Sequence, residues 1–184
     1  MPQTAPTLND GTVSVRAWHP ADAPHLFNAV RESLNTVGRW LPWCGEHYAL
    51  ADSQKWIADC AAAWAAGTAA PFTITDAATG VVLGGVGISG IDLAQRSGNV
   101  GYWVRASQTR RGIATRAARL VIDYGLQVRG LKRLEIVTAC DNVASQRVAE
   151  KVRGGLRGIE RGRLLIRGEM VDARVYYIGS AVFR

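Results

Sequence analysis

Cysteine is scarce in this 184-residue chain: Cys44, Cys60 and Cys140, an odd number at wide spacing. Such a count excludes a disulfide framework and predicts a reducing, cytoplasmic setting. Histidine is equally sparse, and His19, His25 and His47 form no Cys/His repeat at zinc spacing. The half-motif CGEH, Cys44 to His47, reads as ordinary loop, so no metal is expected. No apolar run approaches the roughly 20 residues that span a bilayer. The opening MPQTAPTLNDG lacks a basic start followed by an apolar block, so neither a secretory signal nor a membrane partner is expected. Internal repeats are absent, and a P-loop kinase or ATPase is excluded because no Walker-type phosphate loop occurs. GVGISG (Gly85, Gly87, Gly90) has dinucleotide-binding spacing, but polar IDLAQRSGN follows it where a helix is required. Arg105 and its neighbours stand where the ribose-binding acid belongs. GISGI is one spacer short of a nucleophile elbow.

What is present is ordinary globular composition, 48% hydrophobic and 20% charged. It predicts a single domain over residues 1–184 with a real core. The charge is uneven. Residues 1–92 carry four basic and eight acidic side chains, a net −4, while residues 93–184 carry eighteen and seven, a net +11. A basic half suits nucleic acid, a polyanionic cofactor or an acidic protein, and charge alone does not choose.

Periodicity divides the chain into alternating elements. TVSVRAW reads as a strand and HPADAPHLFNAV as a short helix with Pro20 in its first turn. LNTVGRWLPWCGEH reads as a loop or broken helix that exposes Trp40 and Trp43 around Pro42. ALADSQKWIADCAAAWAAG is a longer helix burying Trp56, Ile57, Cys60 and Trp64, with Gly67 as its stop. A hairpin turning at Ala77–Gly80 follows, then the strand GNVGYWVR from Gly98 to Arg105. Ala117, Leu120, Val121, Tyr124 and Val128 mark the buried face of the next helix. LKRLEIVTAC is an apolar strand in which Cys140 is expected to be buried. NVASQRVAEKV is a helix capped by Asn142. Two strands around a turn near Arg167–Glu169 close the chain, the second running into GSAVF.

The stretch SQTRRGIATRA, Ser107 to Ala117, lies between a strand and a helix. A helix start offers unpaired N–H groups and the positive end of the dipole, which suits phosphate. Gly112 and Ala114 keep bulk away so that backbone can close on a pyrophosphate, and Arg110, Arg111 and Arg116 add charge-assisted contacts. The alternative reading is a solvated basic helix start. A second strand–helix unit follows, with Asn142 and Ser145 at its helix start. Ligands of open α/β sheets bind at the carboxyl ends of such strands.

With GYWVRASQTRRGIATRA, LEIVTACDNVASQRVAEK and GGLRGIERGRLLIRGEMVDARVYYI, nearly the whole chain resembles the GNAT superfamily of N-acetyltransferases. The branch is the RimJ/RimL type, the ribosomal-protein N-terminal acetyltransferases. The resemblance implies a mixed α/β fold: a twisted sheet of about seven strands flanked by helices, its fourth and fifth strands splayed to admit acetyl-CoA. It implies a pyrophosphate contacting backbone from Arg110 through Arg111, Gly112, Ile113 and Ala114 to Thr115. It implies a pantetheine arm paired with backbone at Trp103, Val104 and Arg105, and held by Asn142. The N–H of Val104 would polarise the thioester carbonyl, and Ser145 would be the general acid. Trp40 and Trp43 would line the acceptor side.

Two departures from the family pattern stand out. Thr109 takes the place of the usual Gln or Arg ahead of the loop glycine. Leu164 stands where relatives carry a Glu that serves as general base, and Glu160 is four residues away. Glu46, His47 and Glu135 are the remaining candidates for a base. Direct transfer needs a neutral amine, a polarised carbonyl and a protonated leaving thiolate, but no cysteine nucleophile. An α-amine, with a pKa of about 7.7–8.0 against about 10.4 for lysine, is partly neutral without help. The expected acceptor is therefore a protein N-terminal α-amine, with a ribosomal protein as candidate partner. A small-molecule amine or a succinyl donor is the alternative. A CoA-binding module without activity is a further reading, kept open by Leu164. A nucleic-acid module lacks any aromatic-plus-basic motif or helix-turn-helix, so no direct nucleic-acid partner is expected. A homodimer is implied by the resemblance alone.

Overall fold

The computed structural model describes residues 5–179. Its eight strands are β1 (Leu8–Asn9), β2 (Val13–Arg16), β3 (Ala70–Asp76), β4 (Val82–Asp92), β5 (Ser97–Val104), β6 (Arg133–Ala139), β7 (Gly155–Ile166) and β8 (Glu169–Ile178). Four α-helices accompany them: α1 (Ala23–Arg31), α2 (Leu50–Ala66), α3 (Ile113–Asp123) and α4 (Val143–Lys151). The strands form one sheet in the order β1-β2-β3-β4-β5-β6-β8-β7. The expectation of about seven strands is thus corrected to eight. The extra one, β1, is a two-residue pairing with β2 too short for periodicity to reveal.

All neighbours pair antiparallel except β5 and β6. That parallel contact holds for only three positions, Ser97 with Arg133, Gly98 with Leu134 and Asn99 with Glu135. Beyond Asn99 the two strands part, and β5 runs on to Val104 paired only with β4. The splay expected between the fourth and fifth strands therefore lies between β5 and β6.

One apolar cluster joins α3 and α4 to the sheet through Val121, Ile122, Ala149, Leu134, Ile136 and Tyr176. Each fully buried aliphatic side chain there contributes roughly 1.5–3 kcal/mol by leaving water. A second cluster gathers α1, α2 and the loop between them around Leu26, Val30, Ile57 and Cys60, with Trp103 packed against it. Trp64 leaves α2 to stack edge-on against Phe72, with ring centroids 5.1 Å apart.

Three expectations about the core are corrected. Trp56 is half exposed, since the buried stripe of α2 runs through Ser53, Ile57, Cys60 and Trp64 instead. Val128 is exposed because α3 ends at Asp123 and a wider turn over Tyr124–Val128 rotates it out of the helical stripe. Cys140 is only half-buried, lying just past the end of β6. The hairpin turn at 77–80 and the closing turn at 167–168 fall where turn chemistry placed them, while the end of GSAVF lies outside the described residues.

Candidate active site

Three features converge at the open end of the splay. The first is the loop leading into α3. Arg110 and Gly112 both have positive φ, 64° and 76°, which curls the chain so that successive N–H groups turn inward. The first bond of α3 runs from the Arg116 N–H to the Gly112 carbonyl. The N–H groups of Gly112, Ile113, Ala114 and Thr115 find no acceptor among the described residues. A Cβ added at Gly112 would meet nothing within 4 Å, so the glycine serves its left-handed backbone and an open approach. This concave set of donors at a helix's positive end suits a pyrophosphate.

The nearby arginines are less available than their number suggests. Arg105 is bound to Glu32, with Nε to Oε1 at 2.9 Å and Nη2 to Oε2 at 2.5 Å. Arg116 donates to Asp10 at 2.9 Å and Arg111 to Gln108 at 2.5 Å. Among the described residues, only Arg110 of this group has no side-chain partner.

The second feature is the free edge of β5. Arg105 donates its N–H to the Leu83 carbonyl at 2.9 Å, so Arg105 faces β4. Strand alternation then turns the N–H groups of Tyr102 and Val104 the other way, into the splay. Of the three positions expected to meet a pantetheine arm through backbone, Val104 is the one presented; Trp103 and Arg105 turn their N–H groups toward β4. The Trp103 side chain has a different place, stacked edge-on against Trp43 with centroids 5.7 Å apart.

The third feature is the start of α4. The Asn142 side-chain oxygen accepts the Ser145 N–H at 3.1 Å, capping the helix and leaving the amide NH2 free to donate. Ser145 Oγ lies 3.0 Å from the Tyr102 hydroxyl, which also donates to the Ser145 carbonyl at 3.0 Å. Burial pushes the Tyr102 phenol up to about 12, so it stays protonated at any working pH. Nearby Tyr176 is fully buried, and its hydroxyl has no partner among the described residues. Buried polar groups are normally satisfied, so an orphan hydroxyl beside the splay fits a site completed by a ligand or its water. Sequence periodicity places Tyr102 on a strand and Ser145 on a helix but gives no hint that their hydroxyls meet.

Beyond α4's start lies a cleft of about 230 Å³ lined by Trp40, Ala139, Cys140, Asp141, Ile166, Val171 and Asp172. Arg167, at the β7–β8 turn, donates to the Gly38 carbonyl at 3.3 Å and so closes one side with the Trp40 loop. Trp40 lies in this cleft, whereas Trp43 covers Trp103. The candidate bases are not brought to it. Glu135 sits at the closed end of the splay beside Arg133, five strand residues or roughly 16 Å short of the level of Val104. Glu46 and His47 are exposed on the loop, and the Glu46 carbonyl accepts from Arg31. Leu164 pairs with Val171, and Glu160 is exposed and bound to Arg163 at 2.9 Å.

Comparison with known proteins identifies the family and the fold. The acetyltransferase (GNAT) domain family matches residues 13–154. YdaF of Bacillus subtilis, itself provisionally assigned as a ribosomal N-acetyltransferase, is 27% identical over 90% of this chain and 89% of its own. Among solved structures, RimL, a ribosomal L7/L12 α-N-protein acetyltransferase in complex with coenzyme A, superposes with a TM-score of 0.88 at 19% identity. That match covers 95% of this chain and 98% of RimL. The microcin C7 self-immunity acetyltransferase MccE, in complex with acetyl-CoA and AMP, gives 0.86 at 21% identity, covering 94% of each chain. The chain belongs to the GNAT family and is an N-acetyltransferase that depends on acetyl-CoA.

Proposed function

We propose that this enzyme transfers the acetyl group of acetyl-CoA directly to the α-amine of a protein N-terminus, of the ribosomal-protein type. The observation that carries the acceptor is the relationship to YdaF, which extends over nearly the full length of both chains. The open cleft beside Trp40 is consistent with a chain end entering from solvent. In this reading residues 1–184 form one acyltransferase domain, working in the cytoplasm as a homodimer. No described helix is long and apolar enough to cross a membrane.

The chain's residues divide the work. The N–H groups from Gly112 to Thr115, with Arg110, hold the pyrophosphate. Asn142 donates its free amide NH2 to the pantetheine arm, and the Val104 N–H polarises the thioester carbonyl. Acetyl-CoA supplies an activated acetyl group. As the amine bonds to the carbonyl carbon and the carbon–sulfur bond breaks, Ser145 gives its proton to the departing sulfur and regains one from water, which takes up the proton the amine releases. No carboxylate stands at the Leu164 position, so the amine arrives largely neutral and loses its proton to water or to Asp141 or Asp172, which line the cleft. That favours an α-amine over lysine.

The test uses two peptides with acetyl-CoA, one with a free N-terminus and no lysine, one with a blocked N-terminus and one lysine. The free α-amine is acetylated, by mass spectrometry, at a rate that climbs as the pH passes the amine's pKa of about 7.7–8.0. Transfer only to small-molecule amines, or to neither peptide, overturns the proposed acceptor.

A further inference from the structure

The end of α1 grips the start of the cofactor loop. The Glu32 carboxylate accepts four hydrogen bonds: Arg105 Nε at 2.9 Å, Arg105 Nη2 at 2.5 Å, Ser107 N–H at 3.2 Å and Ser107 Oγ at 2.8 Å. The next residue, Ser33, is fully buried; its hydroxyl accepts the Ala106 N–H at 3.0 Å and donates to the Ala29 carbonyl at 2.6 Å. Arg105 Nη1 adds a bond to the Val82 carbonyl at 3.1 Å. Three consecutive loop residues, 105 to 107, are therefore fixed before the chain reaches Arg110.

This arrangement carries an electrostatic cost at a site for a polyanion. A carboxylate close to a pyrophosphate weakens its binding unless the charge is cancelled. Here it is cancelled by Arg105, which is thereby withdrawn from the phosphates. Anchoring α1 does not require the pair, since Leu26, Ala29 and Val30 already bury its apolar face. What the carboxylate adds is order in the loop. The Arg105 guanidinium holds Glu32 down to about 2, so the clamp is ionised throughout the neutral and mildly acidic range.

We infer that Glu32 is a positioning residue for the cofactor: it pre-sets the 105–107 segment so that the N–H groups of Gly112 to Thr115 already converge when the pyrophosphate arrives. Pre-ordering a loop strengthens binding by removing an entropy cost otherwise met on association. The role rests on the reading of that loop as the pyrophosphate site. It predicts an effect on cofactor capture, not on the chemical step.

The test compares Glu32→Ala and Glu32→Gln with the wild-type enzyme, using two ligands: coenzyme A, and pantetheine, which ends before the pyrophosphate. Glu32→Ala raises the acetyl-CoA KM and the CoA Kd about tenfold, about 1.4 kcal/mol, and leaves kcat at saturation within about twofold. Affinity for pantetheine does not change. Glu32→Gln, which keeps the side chain's size and one acceptor, shows a smaller loss of the same kind, so the inference survives misfolding of the alanine variant. Unchanged CoA affinity in Glu32→Gln and Glu32→Ala overturns the inference, as does equal weakening of both ligands. If the wild-type enzyme bound CoA no better than pantetheine, the pyrophosphate reading itself would be at fault.

Discussion

Ser145 and Tyr102 are 43 positions apart in the chain, yet their hydroxyl oxygens lie 3.0 Å apart inside the splay. A serine in the first turn of a helix usually serves only its own backbone. Here Asn142 already caps the helix, so the Ser145 hydroxyl is free for another task, and Tyr102 limits where it points. Because burial keeps the phenol neutral up to about 12, Tyr102 is a constant partner across the working pH range. Ser145→Ala therefore lowers kcat by roughly ten- to a hundredfold, toward the low end of general-acid contributions. The CoA Kd, which the proposed site assigns to the loop before α3, stays within twofold of wild type, which is roughly 0.4 kcal/mol. Tyr102→Phe keeps the ring in the core and produces a smaller loss of kcat in the same direction. Steady-state kinetics paired with calorimetry of CoA binding separate the two quantities; a Ser145→Ala enzyme with wild-type kcat removes the acid role. Asn142 and Ser145 were legible in the sequence because a helix start has a chemical signature. Tyr102 was not, because its partner is set by how far β5 and β6 diverge, which no local pattern encodes.

The glycines of β4 show how an element can mimic one signal while obeying another. Gly85, Gly87 and Gly90 have the spacing of a phosphate-binding turn, but Gly85 and Gly87 lie within a strand flanked on both sides. A Cβ on Gly87 would come within 2.9 Å of the Ala70 carbonyl oxygen, and one on Gly85 within 2.7 Å of the Trp103 indole nitrogen. Their neighbour Gly84 is tighter still, at 2.1 Å from the Trp103 carbonyl oxygen and 2.9 Å from the Val104 Cα. Gly87 thus lets β3 lie close, and Gly84 and Gly85 let β5 do so at the end where Val104 turns its N–H into the splay. Gly84→Ala is expected to destabilise the fold by about 1–3 kcal/mol, the usual cost of overpacking. Gly101 in β5 has nothing within 4 Å of the same added atom, and Gly101→Ala leaves stability unchanged or slightly raised. Urea unfolding of the two variants checks the contrast; equal midpoints would mean that the close approach is not rigid. Strands, helices and turns were largely readable from period and punctuation. Trp56 and Val128 were misplaced because neighbouring positions on a helix differ by about 100°, and a small change in winding exchanges a buried residue for an exposed one.

Across the whole molecule, the basic half carries the cofactor loop, β6, α4 and the β7–β8 hairpin, and it holds a net +11 against −4 in the other half. Composition revealed this asymmetry but not its use, since the same excess would serve nucleic acid. The choice depends on where the sheet parts, a property of three paired positions between β5 and β6 that only the assembled sheet displays. Arg105 and Arg116 are neutralised by Glu32 and Asp10, while Arg111 is held by the uncharged Gln108 amide, so in the proposed site contact charge on the pyrophosphate would come from Arg110, Arg111 and backbone dipoles. The remaining excess acts at longer range, by raising the concentration of a polyanion near the splay. Such attraction weakens as salt shortens the Debye length, from about 30 Å at 0.01 M to about 8 Å at 0.15 M. The acetyl-CoA KM is therefore expected to rise several-fold over that range while kcat stays level, because the chemical step lies among short-range contacts. A neutral peptide acceptor provides the internal control, since its own KM has no such field to lose. Initial rates at four or five ionic strengths, with each substrate varied in turn, decide the matter. A KM for acetyl-CoA that is flat with salt would place the whole of its recognition in the backbone cradle. The positive half would then be left to a protein or nucleic-acid partner.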